Sequence, residues 1–160
     1  MSKILGVDGN SIMNRAFYGI MGRNIMKTTT GIFTNAIYGF LAILSKTISD
    51  YNPDCICVAF DLKAPTFRHQ KYDQYKGTRK PMPEELVPQM SLIKDVLKAM
   101  NINILELEGY EADDILGTIS KMAEDENREN SVLLLTGDRD YFQIWRYQIP
   151  YFVSSLSVYR

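Results

Sequence analysis

Four short apolar runs punctuate this chain, KILGVD, CICVAF, INILEL and SVLLLT, and the segments between them carry helical periodicity. Nothing else in the sequence restricts the fold as strongly. After KILGVD, the turn residues Gly9 and Asn10 lead to Ser11, placed to cap a helix through about Tyr18. Residues 19–30 show no clean period and read as a mobile connection. From Ile32 onward, Phe33, Ala36, Ile37, Phe40, Leu44 and Ile48 trace one helical face that ends near Tyr51-Asn52-Pro53. Leu86, Met90, Ile93, Leu97 and Met100 do the same, and Ile115, Ile119, Met122 and Ala123 form the inward stripe of a fourth helix. Strands separated by helices of this length imply parallel pairing through right-handed crossovers. The expected fold class is therefore α/β, a three-layer α/β/α sandwich with a mostly parallel central sheet.

Every one of these strands is followed by acid. Asp8 closes the first and Asp61 follows the second; Glu111, Asp113 and Asp114 come after the third, Asp138 and Asp140 after the fourth. Ligands of open α/β sheets bind outside the carboxyl ends of the strands, so the acids fall where a site belongs. Each has a simpler explanation taken singly. Asp8-Gly9-Asn10 and Gly137-Asp138 are turn-like, Asp113 and Asp114 suit the first turn of a helix, and Asp61 can start a loop. Gathered on one rim, they would repel at short range unless cations sat among them. Carboxylates without His or Cys suit hard ions such as Mg²⁺ or Mn²⁺, and two such ions roughly 4 Å apart can promote phosphodiester hydrolysis.

The net charge of −1 excludes a uniformly basic nucleic-acid binder, yet it conceals a local excess. Between Lys63 and Lys80 lie six Lys or Arg and one acid, Asp73. Arg68, Lys71, Lys76, Arg79 and Lys80 alternate there with Phe67, Tyr72 and Tyr75. A solvated charged face would account for the cations alone; alternation with aromatics also provides for phosphate attraction and base stacking. Arg15, in the first helix, is expected to point back to the same rim. Cys55 and Cys57 fall on one face of the second strand and read as reduced core residues. No apolar run approaches the roughly 20 residues that span a bilayer, and the start lacks secretory-signal features, so a cytoplasmic protein without a membrane segment is expected.

The stretches DGNSIMNRAFY, TNAIYGFL, VAFDLKAPTFRHQKYDQYKGTRKPMPEEL, EGYEADDILGT and LLTGDRDYFQI together resemble the N-terminal part of bacterial 5′–3′ exonucleases, a family that includes the 5′-nuclease domain of DNA polymerase I and flap endonucleases. The resemblance covers residues 1–144 as one PIN-like, resolvase-like domain. It implies a helical arch around a 5′ single strand from about Phe67 to Pro83. It also implies that Asp8, Asp61, Glu111 and Asp113 hold a first divalent ion. Asp138 and Asp140, with Asp113 near both and Asp114 in support, would hold part of a second. Arg15, Lys76 and Arg79 resemble the cations that grip the scissile phosphate, with Lys76 and Arg79 stabilising charge that develops on its oxygens. Tyr75 resembles the aromatic that stacks on the adjacent base. The remaining arch residues, Arg68, Lys71, Tyr72 and Lys80, would contact DNA. The implied partner is DNA with a 5′ single-stranded end or flap, bound by a monomer, in replication and repair.

Residues 145–160 depart from this pattern. The resemblance implies a helix-three-turn-helix and further aspartates after the Asp-x-Asp strand, whereas WRYQIPYFVSSLSVYR contains no acid. A divergent tail, an incomplete second metal site and weak, metal-hungry hydrolysis are the expectations, those of a C-terminally truncated enzyme. Two other readings compete: a catalytically inactive nucleic-acid-binding fragment and a PIN-type ribonuclease. The basic arch-like segment argues against the ribonuclease. An aspartate-nucleophile phosphatase fits worse, because its Asp-x-Asp follows the first strand, where this chain has Gly9-Asn10 after Asp8.

Overall fold

The computed structural model describes residues 2–20, 26–62, 64–68, 81–137 and 151–152. In chain order the elements are β1 (Lys3–Asp8), α1 (Gly9–Ile20), α2 (Asn35–Tyr51), β2 (Cys55–Ala59), α3 (Val87–Ala99), β3 (Asn103–Leu105), α4 (Ala112–Glu126), β4 (Ser131–Leu135) and β5 (Tyr151–Phe152). All pairings among these strands are parallel, in the order β3-β2-β1-β4-β5. The α/β class and the four expected strands are present. The two-residue edge strand β5, beside Leu133 and Leu134, was not foreseen in the tail.

Strand alternation sorts the core into two layers. Leu5, Val7, Val58 and Leu135 pack with Ile12, Phe17, Phe40, Leu44, Ile93 and Leu97 from α1, α2 and α3. Their neighbours Cys57, Ala59, Val132 and Leu134 face the other way, against Ala112, Leu116 and Ala123 of α4. The chain steps outward from β1 to β2 to β3, then returns across β1 to form β4. Right-handed crossovers place helices on opposite faces when the direction of travel reverses, which is why, among the described residues, α4 is the helix on that side. The reversal makes a switch point between the carboxyl ends of β1 and β4.

Several local expectations shift. Helix α1 begins at Gly9, and the cap is Asp8, whose Oδ1 accepts the Ser11 N–H at 2.9 Å. Ser11 is thereby freed from capping, and its hydroxyl accepts the Gly137 N–H at 2.9 Å. Residues 26–34 are not a loose connection but a tight hairpin. The Thr34 N–H donates to Met26 O, the Thr28 N–H donates to Ile32 O, and Gly31 turns the chain at φ 87°. Ile32 and Phe33 belong to that hairpin, so α2 starts later, at Asn35. Met122 faces solvent at 65% exposure, because the buried stripe of α4 is Ala112, Leu116, Ser120 and Ala123. Met100 lies past the end of α3 and is also exposed. Of the two cysteines, Cys57 is buried as expected, whereas Cys55, at the strand's exposed start, is not.

One buried side chain ties two helices together. Gln89 of α3 is fully buried and caps α2: its Oε1 accepts the Ala36 N–H at 2.8 Å and the Ile37 N–H at 3.3 Å. Its amide nitrogen donates to Asn35 Oδ1 and to Glu85 O. Orphan N–H groups at a helix start are thus satisfied from a neighbouring helix. Among the described residues, no helix is long and apolar enough to cross a membrane.

Candidate metal and nucleic-acid site

The rim at the carboxyl ends of β1, β2 and β3 is built by the capping demands of two helices. Asp8, 8% exposed, gives Oδ1 to the start of α1, and its Oδ2 accepts the Thr136 hydroxyl at 3.3 Å. That second bond crosses the switch point to the residue just past β4. Asp61 lies two residues past β2 and reaches to α4, where its Oδ1 accepts the Ala112 N–H at 2.8 Å. Asn10 links the first two acids. Its amide nitrogen lies 3.5 Å from Asp61 Oδ2, and its Oδ1 accepts the Asp61 N–H at 3.3 Å.

Glu111, 6% exposed, caps α4, and Asp113 and Asp114 occupy its first turn. The positive end of the helix dipole favours anions there. Asp114 Oδ2 accepts the Glu111 N–H at 3.1 Å, and Asp113 Oδ1 accepts the Asp114 N–H at 2.7 Å. Burial raises the Asp113 carboxyl above the usual carboxylate range, and the Asp114 charge adds to this; Arg68 opposes both. Arg68 forms a two-pronged ion pair with Asp114, at 2.7 and 2.8 Å, and lies 4.0 Å from Glu111 Oε2. That hydrogen bonding strengthens the guanidinium's hold on its proton.

The structure thus brings Asp8, Asp61, Glu111, Asp113 and Asp114 to the ends of three neighbouring strands, as expected. Arg15 also faces this end: a Cβ placed on Gly137 would lie 3.8 Å from its Cδ and Nη1. Arg68, expected as a DNA contact, is turned onto the acids. Lys71, Tyr72, Tyr75, Lys76, Arg79, Lys80, Asp138 and Asp140 lie outside the described residues, and so does most of the expected arch. Asn10, Ser11 and Thr136 were missed. Their signal was present as polar residues directly after strands, but their partners are distant in sequence.

The donor chemistry fits a hard divalent cation, since the rim supplies carboxylate oxygens from β1, the β2 loop and α4. Among the described residues, no group of three such side chains is arranged to hold a metal ion. Asp8, Asp61 and Asp114 each direct oxygens to internal donors.

Comparison with known proteins agrees with this architecture. The family model for the 5′-3′ exonuclease N-terminal resolvase-like domain matches residues 3–159. DNA polymerase I of Mycobacterium bovis is 44% identical over 138 residues, covering 86% of this chain and 15% of the polymerase. DNA polymerase I of Bacillus subtilis is 44% identical over 142 residues, covering 89% of this chain and 16% of the polymerase. The chain therefore spans about one-sixth of the length of these relatives. A structure of phage T5 5′-exonuclease with bound zinc superposes with a TM-score of 0.63 at 20% identity, over 89% of this chain and 51% of that one. A phage T5 flap endonuclease complex with DNA and metal ions superposes at 0.59 and 19% identity, over 87% and 50%. At these identities the structural likeness establishes the fold.

Proposed function

The chain belongs to the 5′-3′ exonuclease N-terminal, resolvase-like domain family, and from that premise we propose that it is a divalent-metal-dependent 5′–3′ exonuclease and 5′-flap endonuclease acting on DNA. The observation that carries this reading is the carboxylate rim at the carboxyl ends of β1, β2 and β3, in a chain 44% identical to DNA polymerase I over 86–89% of this chain's length. Asp8, Asp61, Glu111 and Asp113 would hold one ion, and Asp113, Asp138 and Asp140 part of a second, with Asp114 in support. Bound divalent ions, Mg²⁺ or Mn²⁺, would neutralise the phosphodiester and make water a better nucleophile.

The chain's own residues would do the rest. Arg15, beside Gly137 just past β4, would meet a phosphate at the rim. Lys76 and Arg79 would stabilise charge that develops on the phosphoryl oxygens, with Tyr75 stacked on the adjoining base. Lys71, Tyr72 and Lys80 would track the single strand. Fixed cations beside a partly buried site act without reorganisation at the moment of reaction.

Incubating a 5′-labelled flap duplex with Mg²⁺ or Mn²⁺, beside Asp8→Ala and Asp113→Ala, tests this. Metal-dependent release of label by the parent alone is the expected result. Equal release by all three proteins would refute it. A non-catalytic nucleic-acid-binding role is the second reading, favoured by the acids' engagement with internal donors. Duplex binding without metal-dependent cleavage would select it.

A further inference from the structure

Arg68 pairs with the acids at the start of α4, and its bonding differs from that of a phosphate-gripping side chain. Both terminal nitrogens are committed to Asp114, at 2.7 and 2.8 Å, in the fork geometry that only arginine provides. The same Asp114 carboxylate accepts the Glu111 N–H at 3.1 Å, and Arg68 Nη1 sits 4.0 Å from Glu111 Oε2. Two further contacts dock this stretch on the corner before α4. The Phe67 N–H donates to Gly109 O at 3.0 Å, and the Phe67 and Tyr110 rings lie 5.9 Å apart. The guanidinium carbon is also 4.7 Å from the Phe67 ring centroid. Arg68 is thus held from three sides and faces inward to acids.

We propose that Arg68 is a positioning residue: through its fork on Asp114, which holds the Glu111 N–H, and through its own approach to Glu111 Oε2, it fixes Glu111 for divalent-ion binding, and it does not itself grip DNA phosphate. The inference rests on the nuclease reading and deepens it. Three features follow from the geometry. The role requires the fork, so lysine cannot replace arginine. It runs chiefly through the two-pronged bond to Asp114, so removing either partner has a similar effect. It concerns the ion and not the phosphate, so nucleic-acid affinity without metal is indifferent to it.

The test uses the full chain with Arg68→Lys, Arg68→Gln, Asp114→Asn and the Arg68→Gln/Asp114→Asn double variant. Calorimetry measures Mn²⁺ affinity, and fluorescence anisotropy in EDTA measures binding of a 5′-flap duplex. Circular dichroism at the assay temperature confirms that each variant is folded, and an unfolded variant is replaced in the comparison by its conservative partner. The expected result is a loss of Mn²⁺ affinity of ~10- to 100-fold in every variant, the range typical of residues that orient metal ligands. The double variant should be no worse than either single one, with duplex binding unchanged throughout.

A phosphate contact gives the opposite pattern. Arg68→Gln would then weaken duplex binding, Arg68→Lys would retain it, and Asp114→Asn would leave it unchanged or strengthen it by removing negative charge. That result, or unchanged Mn²⁺ affinity in Arg68→Gln, overturns the inference while the nuclease reading stands. A parent protein that binds no Mn²⁺ and cleaves nothing removes both.

Discussion

Gly9 follows Asp8 directly and opens α1, and its missing side chain is required by a ring. A Cβ built there would lie 2.3 Å from Phe60 Cε1 and 2.6 Å from its Cδ1 and Cζ. Carbon atoms in contact ordinarily sit about 3.5–4.0 Å apart, so the ring would have to retreat by roughly 1.2 Å or more. It has little room to do so, because Phe60 is fully buried and the Lys94 ammonium lies 5.0 Å from its centroid. Overpacking of this kind costs ~1–3 kcal/mol, and the closeness of the clash puts Gly9→Ala at the upper end. Alanine recovers at most ~1 kcal/mol of helix propensity, and less at the first residue of a helix than in its interior. The net expectation is a loss of about 2–3 kcal/mol, at ~2–4 °C in Tm per kcal/mol for a chain of this size. Urea unfolding of the parent, Gly9→Ala, Phe60→Leu and the double variant measures it. In the Gly9→Ala background, Phe60→Leu should cost less than in the parent, because it relieves the clash. A neutral or stabilising Gly9→Ala, or strict additivity in the cycle, would refute the steric argument.

Asp8→Asn separates folding from chemistry: asparagine is a good N-cap, so urea stability should change by less than ~1 kcal/mol. On the nuclease reading, flap cleavage should fall by about 100-fold or more, since several kcal/mol of charge stabilisation would depend on bound ions. Gln89→Leu strands the Ala36 and Ile37 N–H groups, and each unsatisfied buried donor costs ~1–3 kcal/mol. Thermal melts should show a loss of about 2–4 kcal/mol; a loss under ~1 kcal/mol would mean that water or backbone replaces the cap. Burial, with a smaller contribution from Cys55, pushes the Cys57 thiol from 9.0 up to about 11. Ellman's reagent at pH 8 should therefore react promptly with Cys55 alone in the native protein and with both thiols after denaturation. Because the folded state keeps the Cys57 proton longer than the unfolded state, this contribution to stability is full below pH 9 and is lost as pH rises through about 11. A Cys57→Ser variant should lack that alkaline dependence in pH-dependent melts.

Much of the site was legible from local rules. Acids after strands were found because a strand's end is marked by its own neighbours, as in Val7-Asp8 and Phe60-Asp61. The inward stripe of α4 was misjudged at Met122 because Ile115 and Ile119 flank the buried face, so choosing those two rotated the whole reading. The hairpin at residues 26–34 escaped notice because its backbone bonds leave no hydrophobic period. Arg68 was grouped with the DNA-facing cations of its own segment, since nothing near it in sequence announces an acid partner.

What the sequence determined by itself is the alternation of strands and helices and the acids that follow the first four strands, because both follow from side chains close to one another along the chain. The tertiary structure decided the order β3-β2-β1-β4-β5, and with it the switch point where Asp8 meets Thr136 from 128 residues away. It also decided that Arg68 pairs with Asp114, 46 residues on, and that Gln89 caps a helix 53 residues before it. Such bonds depend on the angle and distance at which whole elements pack, and no local pattern carries that information.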